Sequence, residues 1–256
     1  MKYVVFVKQV PNTAEMTVDE SGSLIREGVP SILDPYSESA LSYILSIEKE
    51  EDEVIAVSMG PSNAEKALRR CSAMEADDIV LLSDVAFAGA DTYATARVLT
   101  AYLMKYVCDA DLIVFGRQTI DGGTGQVPSE VAQMMDVQQF CYVTDIKIGD
   151  SITVNQDYGD MERQCEVPKG SVVSFGEVNV ISELPSVHDV IHSIKSEITM
   201  LDRVDLGLGL YSVGLKGSFT EIEYTETVKK LRKNRMVEIR DPSSAAQFII
   251  TKMEVE

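Results

Sequence analysis

Positive charge is scarce in this sequence. Across 256 residues, 23 lysines and arginines stand against 41 aspartates and glutamates, leaving a formal net charge of −18. Nucleic-acid binding needs clustered cations against phosphate, so that class is excluded. The basic stretch KKLRKNR at 229–235 reads as a solvated helix end or a partner contact, because the rest of the chain repels phosphate. No apolar run approaches the roughly 18 residues that a membrane span requires. The opening MKYVVFVKQV gathers charge too early for a signal peptide. Cys71, Cys108, Cys141 and Cys165 lie far apart with no Cys-x-x-Cys pair. They carry no local zinc or iron–sulfur signature and suit free thiols in a reducing cytoplasm. Histidine is rarer still: His188 and His192, four apart, share a helix face, but no third ligand accompanies them, and an exposed or partner-facing pair is expected. No constellation of nucleophile and general base stands out either.

What is present is a rhythm. Short apolar runs recur at Tyr3–Val7, Val54–Val57, Ile79–Leu82 and Leu112–Phe115. Short, rich in β-branched residues and lacking polar alternation, they suit strands buried on both faces of a parallel sheet. Between them, Ala40, Leu41, Ile44 and Leu45 form one helical stripe, and Val98, Leu99, Tyr102, Leu103 and Tyr106 another. Ser62 and Glu65 have capping-box spacing, and Asp91 precedes a helix at Thr92. The segment VDESGSLIREGV at 18–29 suggests an inserted hairpin. After residue 139, Ile146, Ile148, Ile152 and Val154 alternate with polar residues between Gly-Asp turns, which predicts an antiparallel excursion. The predicted fold is α/β, a doubly wound, mostly parallel, Rossmann-like sheet over residues 1–192. Residues 193–256 are charged and poor in core positions, and read as an arm that packs on another chain.

In such sheets, ligands sit beyond the carboxyl ends of the strands, near the point where strand order reverses. That singles out Lys8 and Gln9, Ser58 to Gly60, Ser83 and Asp84, and Gly116 and Arg117. The last pair opens the stretch GRQTIDGGTGQVP. Gly122 and Gly123 can take positive φ, and Thr124 to Gln126 would present amides at a helix start, which holds an anion without lysine. No lysine follows the glycines, and the loop fits neither GxxxxGK[ST] nor GxGxxG. Asp157, Asp160 and Glu162, beside Tyr158-Gly159, read as turn residues and exposed charges.

Taken together, FVKQVPN at 6–12, LDPYSESALSYIL at 33–45, VIAVSMGPSNAEKALRRCSAMEADDIVLL at 54–82, LIVFGRQTIDGGTGQVPSEVA at 112–132 and LPSVHDVI at 184–191 resemble the beta subunit of electron transfer flavoproteins over nearly the whole chain. The resemblance implies a cytoplasmic heterodimer with an alpha subunit that carries an electron-transferring FAD. It places an adenosine pocket at Phe6, Asp34, Pro35, Tyr36, Ser37 and Met59. Phosphates would rest on Asp121, Gly122, Gly123, Thr124, Gly125, Gln126 and Val127, with Arg117 beside them. The short Asp-Gly-Gly-Thr-Gly-Gln loop looks like that of electron-bifurcating members. By that likeness a second FAD accepts hydride from NADH, and electrons divide between ferredoxin or flavodoxin and a partner flavin dehydrogenase. The alternative within the family is a carrier with structural AMP serving an acyl-CoA dehydrogenase. The alternative outside it is a stand-alone adenine-nucleotide-binding protein. Leu184, Pro185, Val187, Val190 and Ile191 correspond to the segment that anchors the dehydrogenase. The family's usual Asn-Glu-Pro-Arg stretch is replaced here by NVISEL at 179–184, and the lysine-rich tract that often follows the Leu-Pro-Asn-Ile-like segment is reduced to HSIKS at 192–196. These departures point to a different dehydrogenase, such as one acting on a hydroxy acid.

Overall fold

The computed structural model describes residues 1–12, 17–18, 24–25, 30–176, 178, 184–220 and 241–253, with 17–18, 24–25 and 252–253 as backbone only. The basic tract at 229–235 and most of the 179–184 departure lie outside them.

Nine strands form the main sheet. In chain order they are β1 (Lys2–Val7), β6 (Glu53–Met59), β7 (Asp78–Leu82), β8 (Leu112–Phe115), β9 (Gln139–Ile148), β10 (Ile152–Asp157), β11 (Glu162–Val167), β12 (Ser171–Phe175) and β13 (Thr199–Leu201). Across the sheet they run β11-β10-β9-β12-β8-β1-β6-β7-β13. The ladders from β9 to β13 are parallel, and β10 pairs antiparallel with both β9 and β11. Beside the sheet, β2 (Gln9–Pro11) pairs with β5 (Ser31–Leu33), and β3 (Thr17–Val18) with β4 (Leu24–Ile25), the latter forming the hairpin expected in 18–29.

Alternation along β1 explains why both sheet faces are covered. Tyr3, Val5 and Val7 point into one core with Leu41 and Ile44 of α1 (Pro35–Ile47) and Leu68 and Cys71 of α2 (Glu65–Ala73). Val4 and Phe6 point into a second core with Val98, Leu99 and Leu103 of α3 (Thr92–Tyr106) and Val131 of α4 (Val127–Met135). A fully buried leucine or isoleucine contributes about 1.5–3 kcal/mol, which is why unbroken apolar runs mark these strands. Burial against Cys71 also pushes its thiol far above the ordinary range, so it behaves as a small hydrophobe.

Asp91 caps α3, accepting the Ala94 amide at 2.8 Å, as its position before Thr92 suggests. The capping box expected at Ser62 does not form. Pro61 begins a 3₁₀ turn closed by Ala64 N donating to the Pro61 carbonyl at 2.8 Å, so Ser62 lies inside that turn and α2 starts at Glu65.

The chain divides into one unit of Met1–Glu223 and another of Tyr224–Glu256. Within the first, β13 adds itself in parallel to β7 and Arg69 of α2 grips α5 (Val187–Lys195). A short α6 (Gly214–Gly217) closes the described part of this unit. The second contains α7 (Pro242–Met253), whose start is held by Asp241 accepting the Ser244 amide at 2.9 Å. Among the described residues, no helix is long and apolar enough to cross a membrane.

Candidate functional site

From β1 the chain steps to β6 and β7 on one side, then crosses back through α3 to β8 on the other. The order of strands therefore reverses between β1 and β8. The helix after β1 lies on one face and the helix after β8 on the opposite face, which opens a crevice at their carboxyl ends. Phe6 and Phe115 close its floor, their rings stacked 4.8 Å apart. Both are buried.

The residues of this edge are tied together by Asp34, which is fully buried. One carboxylate oxygen accepts Tyr36 N and Ser37 N, each at 3.1 Å, and Ser37 Oγ at 3.2 Å, capping α1. The other accepts Ile120 N at 2.8 Å, fastening the glycine loop to that helix start. Asp34 N in turn donates to the Lys8 carbonyl. Pro35 occupies the first helical position, where a missing N–H costs nothing. Asp34 thus acts through the backbone it holds, and its oxygens are already engaged. Tyr36 is half-buried, and Met59, at the end of β6, packs partly buried on the second core.

The loop itself is open. Asp121 through Gln126 are exposed and Val127 is half-buried. Gly123 N donates to Thr119 O at 2.8 Å, and Gly123 and Gly125 take the left-handed φ of 65° and 63°. Gly122, expected to share that conformation, does not; it lies over Thr119 Oγ1 with ordinary space. A Cβ on Gly125 would press to 3.1 Å from the Arg117 carbonyl. Among the described residues, no partner takes the amides of Thr124, Gly125 or Gln126, and Gln126 gives α4 no side-chain cap. Free amides at a helix start form an anion cradle. Glu130 sits in the first turn of α4. Burial raises its carboxyl above the ordinary range and Asp91 adds to that, while Thr92 opposes it with a 2.9 Å bond.

A lysine does attend this loop, although not after the glycines. Lys8 Nζ reaches Asp121 Oδ2 at 2.7 Å from the end of β1. Burial pushes the Asp121 carboxyl up, but hydrogen bonds from Lys8 and Thr119 outweigh it and hold it below the usual carboxylate range. Lys8 was visible as the first residue past a strand; its partner 113 residues away was not. At the same edge, Gln9 Oε1 and Ser58 Oγ are buried without a partner among the described residues. Orphaned polar atoms beside free amides fit a polar ligand in the crevice.

Away from the crevice, α5 begins with a capping box, Ser186 accepting Asp189 N while Asp189 accepts Ser186 N. Arg69 donates to the carbonyls of Ser193 and Ile194 at 2.9 Å each and so holds its other end. The anchored helix exposes Val187, Val190, Ile191 and Ile194, with Leu184 just before it and Pro185 half-buried. His188 and His192 are exposed on it, and among the described residues no group of metal-ligating side chains forms.

Fold and site define a doubly wound α/β protein with an open glycine loop at its switch point. The sequence model of the electron transfer flavoprotein domain matches residues 21–174. The chain is 40% identical over 232 residues to electron transfer flavoprotein subunit beta of Thermoanaerobacterium thermosaccharolyticum, covering 89% of this chain and 88% of that one. It is 40% identical over 226 residues to caffeyl-CoA reductase-Etf complex subunit CarD of Acetobacterium woodii, covering 87% and 86%. Protein FixA of Azotobacter vinelandii is 34% identical over 268 residues, covering 99% and 94%. The chain belongs to the electron transfer flavoprotein family and stands with its beta subunits. Membership implies association with a flavin or nucleotide and with an alpha subunit.

Proposed function

We propose that this chain is the beta subunit of an electron-bifurcating flavoprotein, and that its crevice holds FAD with the pyrophosphate on Asp121 to Val127. The observation that carries the reading is the short loop whose amides at Thr124, Gly125 and Gln126 are exposed and unengaged. Two successive phosphates need several such donors and a backbone that approaches closely, which glycines at 123 and 125 allow. Lys8 neutralises Asp121, so the one carboxylate in the cradle does not repel the ligand. Asp34 holds the loop in place and Phe6 seals the floor from water. When bound, FAD supplies hydride acceptance from NADH and release of single electrons, toward ferredoxin or flavodoxin on one side and the alpha-subunit flavin on the other.

The apolar face of α5 is the proposed dock for the partner flavin dehydrogenase, with Val187 and Ile191 exposed on a helix fixed at both ends. Relatives named for caffeyl-CoA reductase and acryloyl-CoA reductase complexes support a partner that acts on a CoA thioester, in preference to a hydroxy acid. Residues 193–256 are proposed to contact the alpha subunit.

Purifying the chain with its alpha subunit and extracting its cofactors tests the reading. Two FAD per heterodimer are expected. One FAD together with one AMP would make it a single-flavin carrier, and a colourless preparation would leave only a nucleotide-binding protein.

A further inference from the structure

A short helix does not persist in water without tertiary packing, and its usual support is an apolar stripe laid on the core. Helix α5 lacks that support. Of its residues only Ser193 is buried, while Val187 is 78% exposed and Ile194 63%, with Val190 and Ile191 open beside them. Its start is closed by the Ser186–Asp189 capping box. Its end leaves carbonyls that no later turn can satisfy.

Helix α2 supplies what that end needs. Arg69 Nη1 donates to the carbonyls of Ser193 and Ile194, each at 2.9 Å, and lies 3.4 Å from that of Ser196. A cation placed there also meets the negative end of the helix dipole. Three residues on, and so on the same face of α2, Ser72 Oγ donates to Ser196 Oγ at 2.9 Å, and Ser196 Oγ to the His192 carbonyl at 3.3 Å. Glu65, one turn back, steadies the guanidinium at 3.7 Å. The support is itself anchored: Leu68 and Cys71 are fully buried in the first core, and Arg70 binds Glu38 of α1 at 2.8 Å. Because Ser193 and the carbonyls at this end face α2, the stripe of Val187, Val190, Ile191 and Ile194 faces away from it.

We propose that Arg69 is a positioning residue for the docking of the partner flavin dehydrogenase. This rests on the reading of α5 as the dock. By satisfying the last carbonyls of α5, Arg69 holds the apolar stripe in the orientation the partner meets, so binding has little further chain to order. Without it the last turn frays and the stripe is presented only part of the time. Apparent affinity for the dehydrogenase then falls by that fraction. Electron transfer inside the bound complex is untouched, since Arg69 reaches α5 and Glu65 and not the crevice.

The test uses the heterodimer purified with its alpha subunit, as wild type, Arg69→Gln, Arg69→Lys, Ser72→Ala and Val187→Asp. The probe is a purified acyl-CoA dehydrogenase supplied with its thioester. Flavin reduction at varied heterodimer concentration gives KM and kcat separately. Amide hydrogen exchange reads α5, while flavin content and melting temperature report on the rest. Arg69→Gln should raise KM roughly tenfold and speed exchange in α5 by a similar factor, with kcat, flavin content and melting temperature close to wild type. Arg69→Lys keeps the charge and hydrogen-bond donors and should stay within about threefold of wild type. Should Arg69→Gln melt early, Ser72→Ala decides, since it removes only the hydroxyl bond; a rise in KM of about threefold supports the proposal and none overturns it. A KM in Arg69→Gln equal to wild type, with Val187→Asp impaired, overturns the role of Arg69 and leaves the dock in place. Unchanged KM in Val187→Asp removes the dock itself. A fall in kcat or flavin content in Arg69→Gln, without a rise in KM, would make the residue a general structural one and also overturn the proposal.

Discussion

Gly116, the first residue beyond β8, has no space for a side chain. A Cβ built there stands 2.6 Å from the carbonyl carbon of Tyr36, 2.7 Å from its oxygen and 2.8 Å from the Ser37 amide nitrogen. Carbon contacts settle near 3.5–4.0 Å, so a methyl group must separate the end of β8 from the first turn of α1 by about 1 Å. Neither side is the free end of a flexible chain; both are backbone. The Asp34 bond to Ile120 N spans that same gap. Overpacking of this kind costs about 1–3 kcal/mol, and weakening a bond to a buried carboxylate adds roughly 1.5–3 kcal/mol. Gly116→Ala should therefore lose about 3–5 kcal/mol. In a unit of about 220 residues, where each kcal/mol moves the midpoint by about 2–4 °C, the melting temperature falls by roughly 10 °C or more. Circular dichroism melts of the heterodimer read the shift, and extraction of bound nucleotide reads the loop. Gly122→Ala is the control, since its nearest neighbour is Thr119 Oγ1 at 3.5 Å and it should change stability by under about 0.5 kcal/mol. Equal melting temperatures for the two variants, or full nucleotide content in Gly116→Ala, would refute the argument.

Lys8→Met leaves Asp121 uncompensated beside the cradle; bound nucleotide should weaken about tenfold at low salt and less at high salt, with binding recovered in Lys8→Met/Asp121→Asn. Equilibrium dialysis against AMP and FAD measures it, and failure of the second substitution to rescue would remove the charge argument. Val187→Asp puts a carboxylate on the exposed face of α5 and should abolish electron delivery to the dehydrogenase while flavin content stays intact; unchanged turnover would exclude that face as the dock. Glu48 ends α1 with its carboxyl pushed up to about 7 by burial and by Asp77, Asp52 and Glu75. A folded-state value above the unfolded one favours the protonated form, so this contribution is complete below about pH 4.5 and gone above about pH 7. Glu48→Gln should then match the wild type at pH 4 and exceed it by roughly 1–2 kcal/mol at pH 8, allowing for solvent screening. Denaturant titrations at both pH values check the sign, and equal stability at pH 8 would contradict it.

The parts of the fold that could be read from the sequence are those set by local periodicity. Tyr3–Val7 and Leu112–Phe115 stood out because central parallel strands are apolar on both faces. Asp91 stood out because its bond is made three residues away. Ser62 misled for the same reason: capping spacing is local, but the proline before it had already started a tighter turn. β13 was missed because Thr199–Leu201 is short and exposed at a sheet edge, where pairing with β7 supplies order that three residues cannot announce. Within the site, the glycine loop is contiguous and legible. Lys8 with Asp121, and Asp34 with Ile120, are separated by 113 and 86 residues, and their meeting is a product of strand order.

The single carboxylate of Asp34 ties the glycine loop to the start of α1, and this bears on how a ligand would arrive. A cradle stitched to the first turn of a buried helix cannot fold away while the cleft is vacant. Its amides wait in their final orientation, so association needs little rearrangement of the polypeptide and proceeds as lock to key. Affinity for a nucleotide should therefore vary little with agents that stiffen loops, and strongly with anything that loosens the start of α1.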